Sequence, residues 1–302
     1  MLHLRSVVLV ALLGPGLVTG AAEARVRVVA SLPDLKALTE AVGGDLVEVD
    51  SLARGDQNPH DIDVRPSLML KLRRADLLVR NGAGGDPWVE PLAVGGQNSR
   101  ILPGRAGYVD ASRGVPILPP VGPVDRSRGD VHPEGNPHFT LDPATAPVVT
   151  ANIVEGLKRV APRDADRFDA GRREFLRRLE EGLARWREAL EPHRGARVVT
   201  YHETFTYFLK RFGLEMAGAI EDRPGIPPSP SHLVGLIRRM QEQRVRVVLA
   251  EPYADQRVVQ LVARDGGARA LVLPSAVGGV RGTDSYLALM EHLTGRLAEA
   301  LR

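Results

Sequence analysis

The sequence predicts an α/β protein of two lobes, each with a parallel sheet flanked by helices, joined by one long connecting helix. In both halves of the chain, short β-branched or apolar runs alternate with amphipathic runs, as in parallel sheets wrapped by helices. A long helical pattern separates the two halves. The 302 residues suffice for one large domain or two medium ones, so the alternative is a single domain with this helix packed on its periphery.

The first half begins with an alternating β-branched run at Val26, followed by Ser31, which is placed to cap a helix. This helix is expected to end at Gly43. Strands are predicted at 26–30, 46–52 and 77–79, and a further short helix at 67–75. Residues 84–135 contain a group of prolines and several glycines, which predicts an irregular surface connection.

Helices are predicted at 144–160 and 164–190, the second with apolar residues spaced by three and four. The strand and helix pattern then resumes. Strands are predicted at 197–201, 214–220, 245–250 and 270–273, helices at 204–212, 231–243 and 256–263, and a terminal helix that Asp284 opens. We therefore expect an N-terminal lobe at 25–143, a helical region with the long linker helix at 144–193, and a C-terminal lobe at 194–302.

The N-terminus has the features of an export signal. Arg5 provides a positive charge, residues 7–18 are mostly apolar, and Ala22-Glu23-Ala24 has the form of a cleavage site. We expect residues 1–24 to be removed and the mature chain to begin near Arg25, in the periplasm. The sequence contains no cysteine, which excludes disulfides, thiolate ligands and a lipid-modified cysteine, so we expect no lipid anchor.

Composition argues against nucleic acid as a partner. The net charge is +3, aromatic residues make up 4% of the chain, and no basic patch is interleaved with aromatic side chains. The hydrophobic fraction of 43% is ample for buried cores. The low aromatic content also argues against a platform on which bases or sugars would stack.

Three histidines stand where a ligand site is expected. His60 and His138 each follow an Asn-Pro pair, and the proline keeps the chain before the histidine extended. His202 follows a predicted strand, and loops beyond the carboxyl ends of parallel strands bind ligands. With the carboxylate of Asp284, three imidazoles would suit zinc. Manganese would prefer more oxygen ligands.

For three further side chains, the sequence pattern allows roles other than metal binding. Asp284 could be only the N-cap of the terminal helix. Glu251 could orient a histidine from outside the coordination sphere or lie at the surface. His132 is predicted to be a solvated loop histidine.

These residues resemble the metal-binding cluster of periplasmic solute-binding proteins of ABC transporters, for zinc and manganese. The resemblance covers almost the whole mature chain. It depends on the segments Gly55–His60, Asn136–Pro143, Tyr201–Phe205 with Tyr207-Phe208, Pro224–Ser229 and Asp284–Leu287. It implies a metal buried between two lobes and bound by His60, His138, His202 and Asp284. Manganese members often have a carboxylate at the third position, so His202 favours the zinc branch.

The resemblance also implies a function. We expect a non-enzymatic, monomeric protein that binds one Zn²⁺, or alternatively Mn²⁺, as transported ligand and delivers it to a membrane ABC permease. Histidine protonation should compete with the metal below about pH 6. Many zinc members carry a histidine-rich loop before the second ligand, whereas this chain has only His132 there, which argues against a metal-collecting loop.

Two other classes compete with transport. A secreted zinc hydrolase would keep one metal position open for water, and three histidines alone would suit it. The sequence has no H-E-x-x-H motif, and Asp284 would close the coordination sphere. The other class is a structural or adhesive surface protein in which zinc only staples the fold.

Overall fold

A computed structural model describes residues 25–119, 132–223 and 225–302. The predicted signal peptide, part of the predicted irregular connection (120–131) and Pro224 of the proline-rich loop lie outside these residues. Among the helices of the described part, none combines the length and apolar character that crossing a bilayer requires.

The first sheet is parallel and has the strand order β2-β1-β3-β4. Its strands are β1 (Val26–Ala30), β2 (Val47–Ser51), β3 (Leu77–Arg80) and β4 (Tyr108–Asp110), and its helices are α1 (Pro33–Gly43), α2 (Pro66–Arg74) and α3 (Val89–Gly95). Both α3 and β4 lie where the sequence predicted only irregular structure. They were missed because seven and three residues are too short to display a clear period.

Two helices follow the first sheet, α4 (Ala146–Val160) and α5 (Ala165–Leu190). Helix α5 packs against α1, α4 and the terminal helix of the chain. Its buried side chains include Phe168, Phe175, Leu179, Trp186 and Leu190. They belong to one continuous apolar core that extends from the first sheet to the second. The long helix therefore joins the lobes as predicted.

The second sheet repeats the topology of the first, with the order β6-β5-β7-β8 and parallel pairing throughout. Its strands are β5 (Arg197–Thr200), β6 (Glu215–Ala219), β7 (Val247–Ala250) and β8 (Arg269–Val272). Its helices are α6 (Thr206–Arg211), α7 (Pro230–Glu242), α8 (Gln256–Gly266) and α9 (Tyr286–Leu301). The predicted two-lobe α/β fold is confirmed.

Two predicted helix starts are wrong. Ser31 does not cap α1, because its hydroxyl accepts a hydrogen bond from the Asn81 amide on the neighbouring strand end. Asp284 does not open α9: this helix is capped by Ser285, whose Oγ accepts from the Ala288 amide. The N-cap residue of α1 is Leu32, which offers no side-chain cap, whereas at α9 the serine next to Asp284 takes the predicted role.

A buried polar network links the lobes beside α1. Asp34 is 2% exposed; its Oδ1 accepts from the Val277 amide at 2.7 Å and its Oδ2 from Thr140 Oγ1 at 2.9 Å. The Tyr286 hydroxyl donates to the Thr140 carbonyl at 2.7 Å. Burial raises the pKa of Asp34 to about 6, and the two hydrogen bonds oppose part of this rise. At neutral pH the Asp34 carboxylate is therefore charged, and its burial away from water destabilises the folded state.

We expect Asp34→Asn to change how stability depends on pH. The folded-state pKa is raised above the ordinary 3.8. The stability that Asp34 contributes to the folded protein is therefore fully present below about pH 3.8 and is lost as pH rises through about 6. Relative to the parent, the metal-free variant should gain up to about 3 kcal/mol in its free energy of unfolding across this window. Urea unfolding at several pH values measures this difference, and a difference that does not vary with pH would contradict the assignment.

Candidate metal centre

The three predicted histidines all lie at the carboxyl edges of the sheets. His60 is on the loop after β2, and His202 follows β5 by two residues. His138 is on the long connection after β4, immediately before a 3-10 turn at Phe139–Leu141. Loops from both sheets therefore meet at the edge where parallel α/β sheets bind ligands.

The repeated Asn-Pro-His sequence forms the same local turn twice. The Oδ1 of Asn58 accepts from the His60 amide at 3.1 Å, and the Oδ1 of Asn136 accepts from the His138 amide at 2.9 Å. An asparagine side chain that binds the backbone two residues ahead makes an Asx turn, and the intervening proline fixes φ. Each copy thus presents an imidazole from a rigid turn.

Side chains of the first lobe fix both prolines. Trp88 donates from Nε1 to the Pro59 carbonyl at 2.9 Å, and Asn81 donates from Nδ2 to the Pro137 carbonyl at 3.1 Å. The backbone N–H of Asn81 donates in turn to the buried carboxylate of Asp86 at 2.6 Å. The two histidine turns are therefore fastened to the end of β3 and the loop that follows it.

Residues 136–142, here called the clamp segment, are also bonded to the second lobe. The Tyr207 hydroxyl donates to the Asn136 carbonyl at 2.9 Å. Arg211 donates to both oxygens of Asp142, at 2.6 and 2.8 Å. Because the clamp segment contacts both lobes, it sets the position of its histidine relative to both sheets.

The structure brings His60, His138 and His202 together. One nitrogen from each lies within 4.8 Å of the others, and the Nε2 atoms of His60 and His138 are 3.3 Å apart. Two nitrogens bound to a tetrahedral zinc at about 2.0–2.1 Å lie about 3.3 Å apart. The three ring centroids are separated by 5.0, 5.5 and 5.4 Å. This spacing fits three ligands of one ion.

The rings differ in their affinity for protons. Burial lowers the pKa of His60 and of His138 well below 6.5, and the neighbouring imidazoles add to this effect. Burial also acts to lower the pKa of His202, but its hydrogen bond to Glu221 and the charge of Glu251 outweigh this effect, and the pKa is raised. His60 and His138 are therefore neutral at pH 7, as metal ligands must be.

Two carboxylates flank His202. Its Nδ1 donates to Glu221 Oε2 at 3.0 Å, which leaves Nε2 with the lone pair for a metal. Glu251 is fully buried, and neither of its carboxylate oxygens has a hydrogen-bond partner among the described residues. Burial raises the pKa of Glu251, and the nearby His202 acts in the opposite direction.

From the sequence, Glu251 was a candidate for the partner that orients a histidine. In the structure, Glu221 accepts the hydrogen bond from His202, and the sequence analysis did not predict this role for Glu221. The available signal was position: Glu221 follows β6 at the same sheet edge as His202 follows β5.

Two other predicted residues are placed differently. The structure does not bring Asp284 into the histidine group: its side chain is exposed, one residue before the N-cap of α9. As a metal ligand it stays a prediction. The prediction that His132 is a solvated loop histidine is wrong, since it is partly buried with its ring centroid 4.7 Å from that of His60.

The family model described as zinc-uptake complex component A, periplasmic (ZnuA) matches residues 28–300. The chain belongs to the ZnuA family. The high-affinity zinc uptake system protein ZnuA of Yersinia pestis is 26% identical over 293 residues, covering 92% of each chain. ZnuA of Paracoccus denitrificans is 27% identical, covering 100% of this chain and 99% of the relative.

Other relatives of this ZnuA-family chain are named for manganese. The manganese ABC transporter substrate-binding lipoprotein PsaA of Streptococcus pneumoniae is 24% identical, covering 92% of this chain and 89% of PsaA. Among solved structures, a crystal structure of ZnuA superposes with a TM-score of 0.78 at 22% identity, covering 92% of this chain and 100% of that one. FpvC of Pseudomonas aeruginosa in complex with Mn²⁺ gives 0.77 at 24%, covering 92% and 98%. These structures share the fold.

We expect Glu221→Gln to weaken zinc binding by about 10- to 100-fold, the usual cost of losing a partner that orients a metal ligand. Glutamine keeps an oxygen that accepts from His202 Nδ1 but removes the charge. Glu215→Gln is the matched control, because Glu215 begins β6, the strand that Glu221 follows, and forms an exposed ion pair with Arg197. Competitive chelation measures both affinities, and equal losses in the two variants would contradict a specific role for Glu221.

Proposed function

We propose that this protein captures a divalent transition metal, zinc in preference to manganese, outside the cytoplasm and delivers it to an ABC permease. One observation carries the proposal: one ring nitrogen from each of three histidines, two in the first lobe and one in the second, lies within 4.8 Å of the other two. The Nε2 atoms of His60 and His138 are 3.3 Å apart, which is also the separation of two nitrogens bound to one zinc, so a dication would fit between these nitrogens.

The donor atoms support zinc as the preferred metal. Imidazole suits zinc, whereas carboxylate and carbonyl oxygens suit manganese. His202 provides a nitrogen ligand in this cluster. The neighbouring carboxylate of Glu221 accepts a hydrogen bond from the other ring nitrogen, Nδ1. The chain has relatives named for zinc uptake and others named for manganese, so manganese is the alternative cargo.

A transport role is favoured over the zinc hydrolase and the adhesive protein. The relatives named above are uptake-system or substrate-binding proteins, and the sequence carries no H-E-x-x-H motif. In our proposal Asp284 is still a candidate ligand. For Asp284 to bind the ion, the loop before α9 would have to move its carboxylate toward the histidines.

Capture and release follow from the division of the site between the lobes. An ion bound by His60 and His138 from one lobe and His202 from the other adds a bond across the cleft. Release then requires those nitrogens to separate, which a permease could promote by holding the two lobes apart. We propose that the protein works in the periplasm as a monomer without a lipid anchor, in keeping with the absence of cysteine.

His138→Ala tests the proposal directly. Loss of a ligand should weaken zinc binding by more than the roughly 10- to 100-fold that loss of an outer partner costs. The control is His193→Ala, because His193 lies in the 3-10 turn after α5, before β5 begins, at the opposite edge of the sheet. Competitive chelation of purified protein measures zinc affinity. Unchanged affinity in His138→Ala would refute the assignment.

A further inference from the structure

A groove lined by arginines lies at the amino edge of the second sheet, the edge opposite the candidate metal centre. Its volume is about 420 Å³, and it is bounded by the ends of α5, α7 and α9. Its basic lining residues are His193, Arg194, Arg197, Arg244 and Arg246. No acidic side chain of the described residues lines this groove, which is therefore complementary in charge to an anion.

Two of the arginines stand side by side on neighbouring strands. Arg197 directly precedes Val198 of β5, which is aligned with Val247 of β7. Arg246 directly precedes Val247, and neighbouring strands are about 4.8 Å apart. The amide of Arg269 on β8 donates to the Arg246 carbonyl at 2.9 Å, which adds a third arginine to this edge. Like charges on adjacent strands repel one another, and a bound anion would remove that repulsion.

Ion pairs balance only part of this positive charge. Arg197 pairs with Glu215 at 2.9 Å, and Arg194 pairs with Glu191 at 3.7 Å. Arg244 and Arg246 are exposed, and neither forms an ion pair with another described residue. Two guanidinium groups are therefore available to a ligand, and each can donate to two oxygens of one anion.

The backbone of Arg244 has a conformation that glycine usually adopts. Its φ is 54°, in the left-handed region, and its amide donates to the Gln241 carbonyl while the next amide donates to the Met240 carbonyl. Helix α8 ends with the same pair of hydrogen bonds, and there the left-handed residue is Gly267. A residue with a side chain is disfavoured in this conformation, so an arginine at the end of α7 points to a role for its guanidinium group.

The comparable groove of the first lobe contains its own negative charge. It lies at the amino edge of the first sheet, has a volume of about 1150 Å³ and is lined by five arginines together with Glu48 and Asp76. The Asp76 carboxylate is 3.2 Å from Arg27 and 3.6 Å from Arg100. The groove of the second lobe is therefore the better site for an external anion.

We propose that the groove of the second lobe binds a phosphate-type oxyanion, held mainly by Arg244 and Arg246. Arginine suits this ligand because its planar guanidinium group donates to two phosphate oxygens at once. Free phosphate and the headgroup of an anionic phospholipid present the same oxygens to an open groove. The inference does not rest on the proposed metal capture, because β5 carries Arg197 at one end and leads to His202 beyond the other.

The experiment compares the double variant Arg244→Gln with Arg246→Gln against the control Arg177→Gln with Arg257→Gln, all as zinc-loaded protein. The control removes the same charge from exposed arginines that form ion pairs within α5 and at the start of α8. Calorimetric titration with inorganic phosphate measures binding of the free ion. Sedimentation with phosphatidylglycerol vesicles measures binding of the headgroup, with phosphatidylcholine vesicles as reference. Competitive chelation should give the same zinc affinity for all of these proteins.

The parent and the control should bind phosphate, phosphatidylglycerol vesicles or both. The Arg244 and Arg246 double variant should bind at least about tenfold more weakly, because two charged contacts are lost. Either source of the anion supports the site, and the arm that responds identifies which source it is. Absence of binding in both arms, or equal losses in the two double variants, would overturn the inference and leave the proposed metal capture untouched.

The variant Arg244→Gly separates the side chain from the backbone. Glycine adopts the left-handed conformation without steric conflict, so the metal-free variant should unfold at a temperature no lower than the parent does. Its anion affinity should nevertheless fall, which the same titrations measure. Parent-like anion affinity in this variant would show that the Arg244 side chain does not hold the ligand.

Discussion

The site depends on how the clamp segment is held between the lobes. Asn136 and Asp142 accept hydrogen bonds from helix α6 of the second lobe, while the Pro137 carbonyl accepts from Asn81 of the first. Thr140 adds the buried contacts with Asp34 and Tyr286. A segment tied on both sides cannot follow one lobe alone. The distance between the histidines of the two lobes is therefore set by this polar network together with the continuous core around α5.

Within that frame, the imidazoles lie close together before any metal is bound. The Nε2 atoms of His60 and His138 are 3.3 Å apart, and burial makes protonation of either ring to the cation unfavourable. Without a metal, one nitrogen donates its proton to the other. A metal ion would replace this hydrogen bond by binding both nitrogens. The fold thus prepares the site before the ion arrives, which reduces the ordering that binding would otherwise require.

The sequence predicted the parts of this arrangement that have local causes. His60 and His138 could be singled out because Asn-Pro-His is itself a turn, and His202 because it ends a β-branched strand. Glu221 could not be paired with His202 from sequence, since their contact depends on which strands are neighbours in the sheet. His132 was misplaced for the same reason: polar neighbours along the chain indicate solvent, whereas Gly84 and His60 reach it only in the fold.

Nitrogen ligands and negative charge are separated in this site, and that separation bears on metal choice. A carboxylate that touches the ion would provide charge and an oxygen ligand together, which suits manganese as well as zinc. Here Glu221 acts through the His202 ring, and Glu251 is buried nearby without a hydrogen-bond partner among the described residues. Their field favours any dication equally, because it carries no geometric preference. In our proposal, discrimination between the two metals is then left to the imidazole nitrogens, which suit zinc better than manganese.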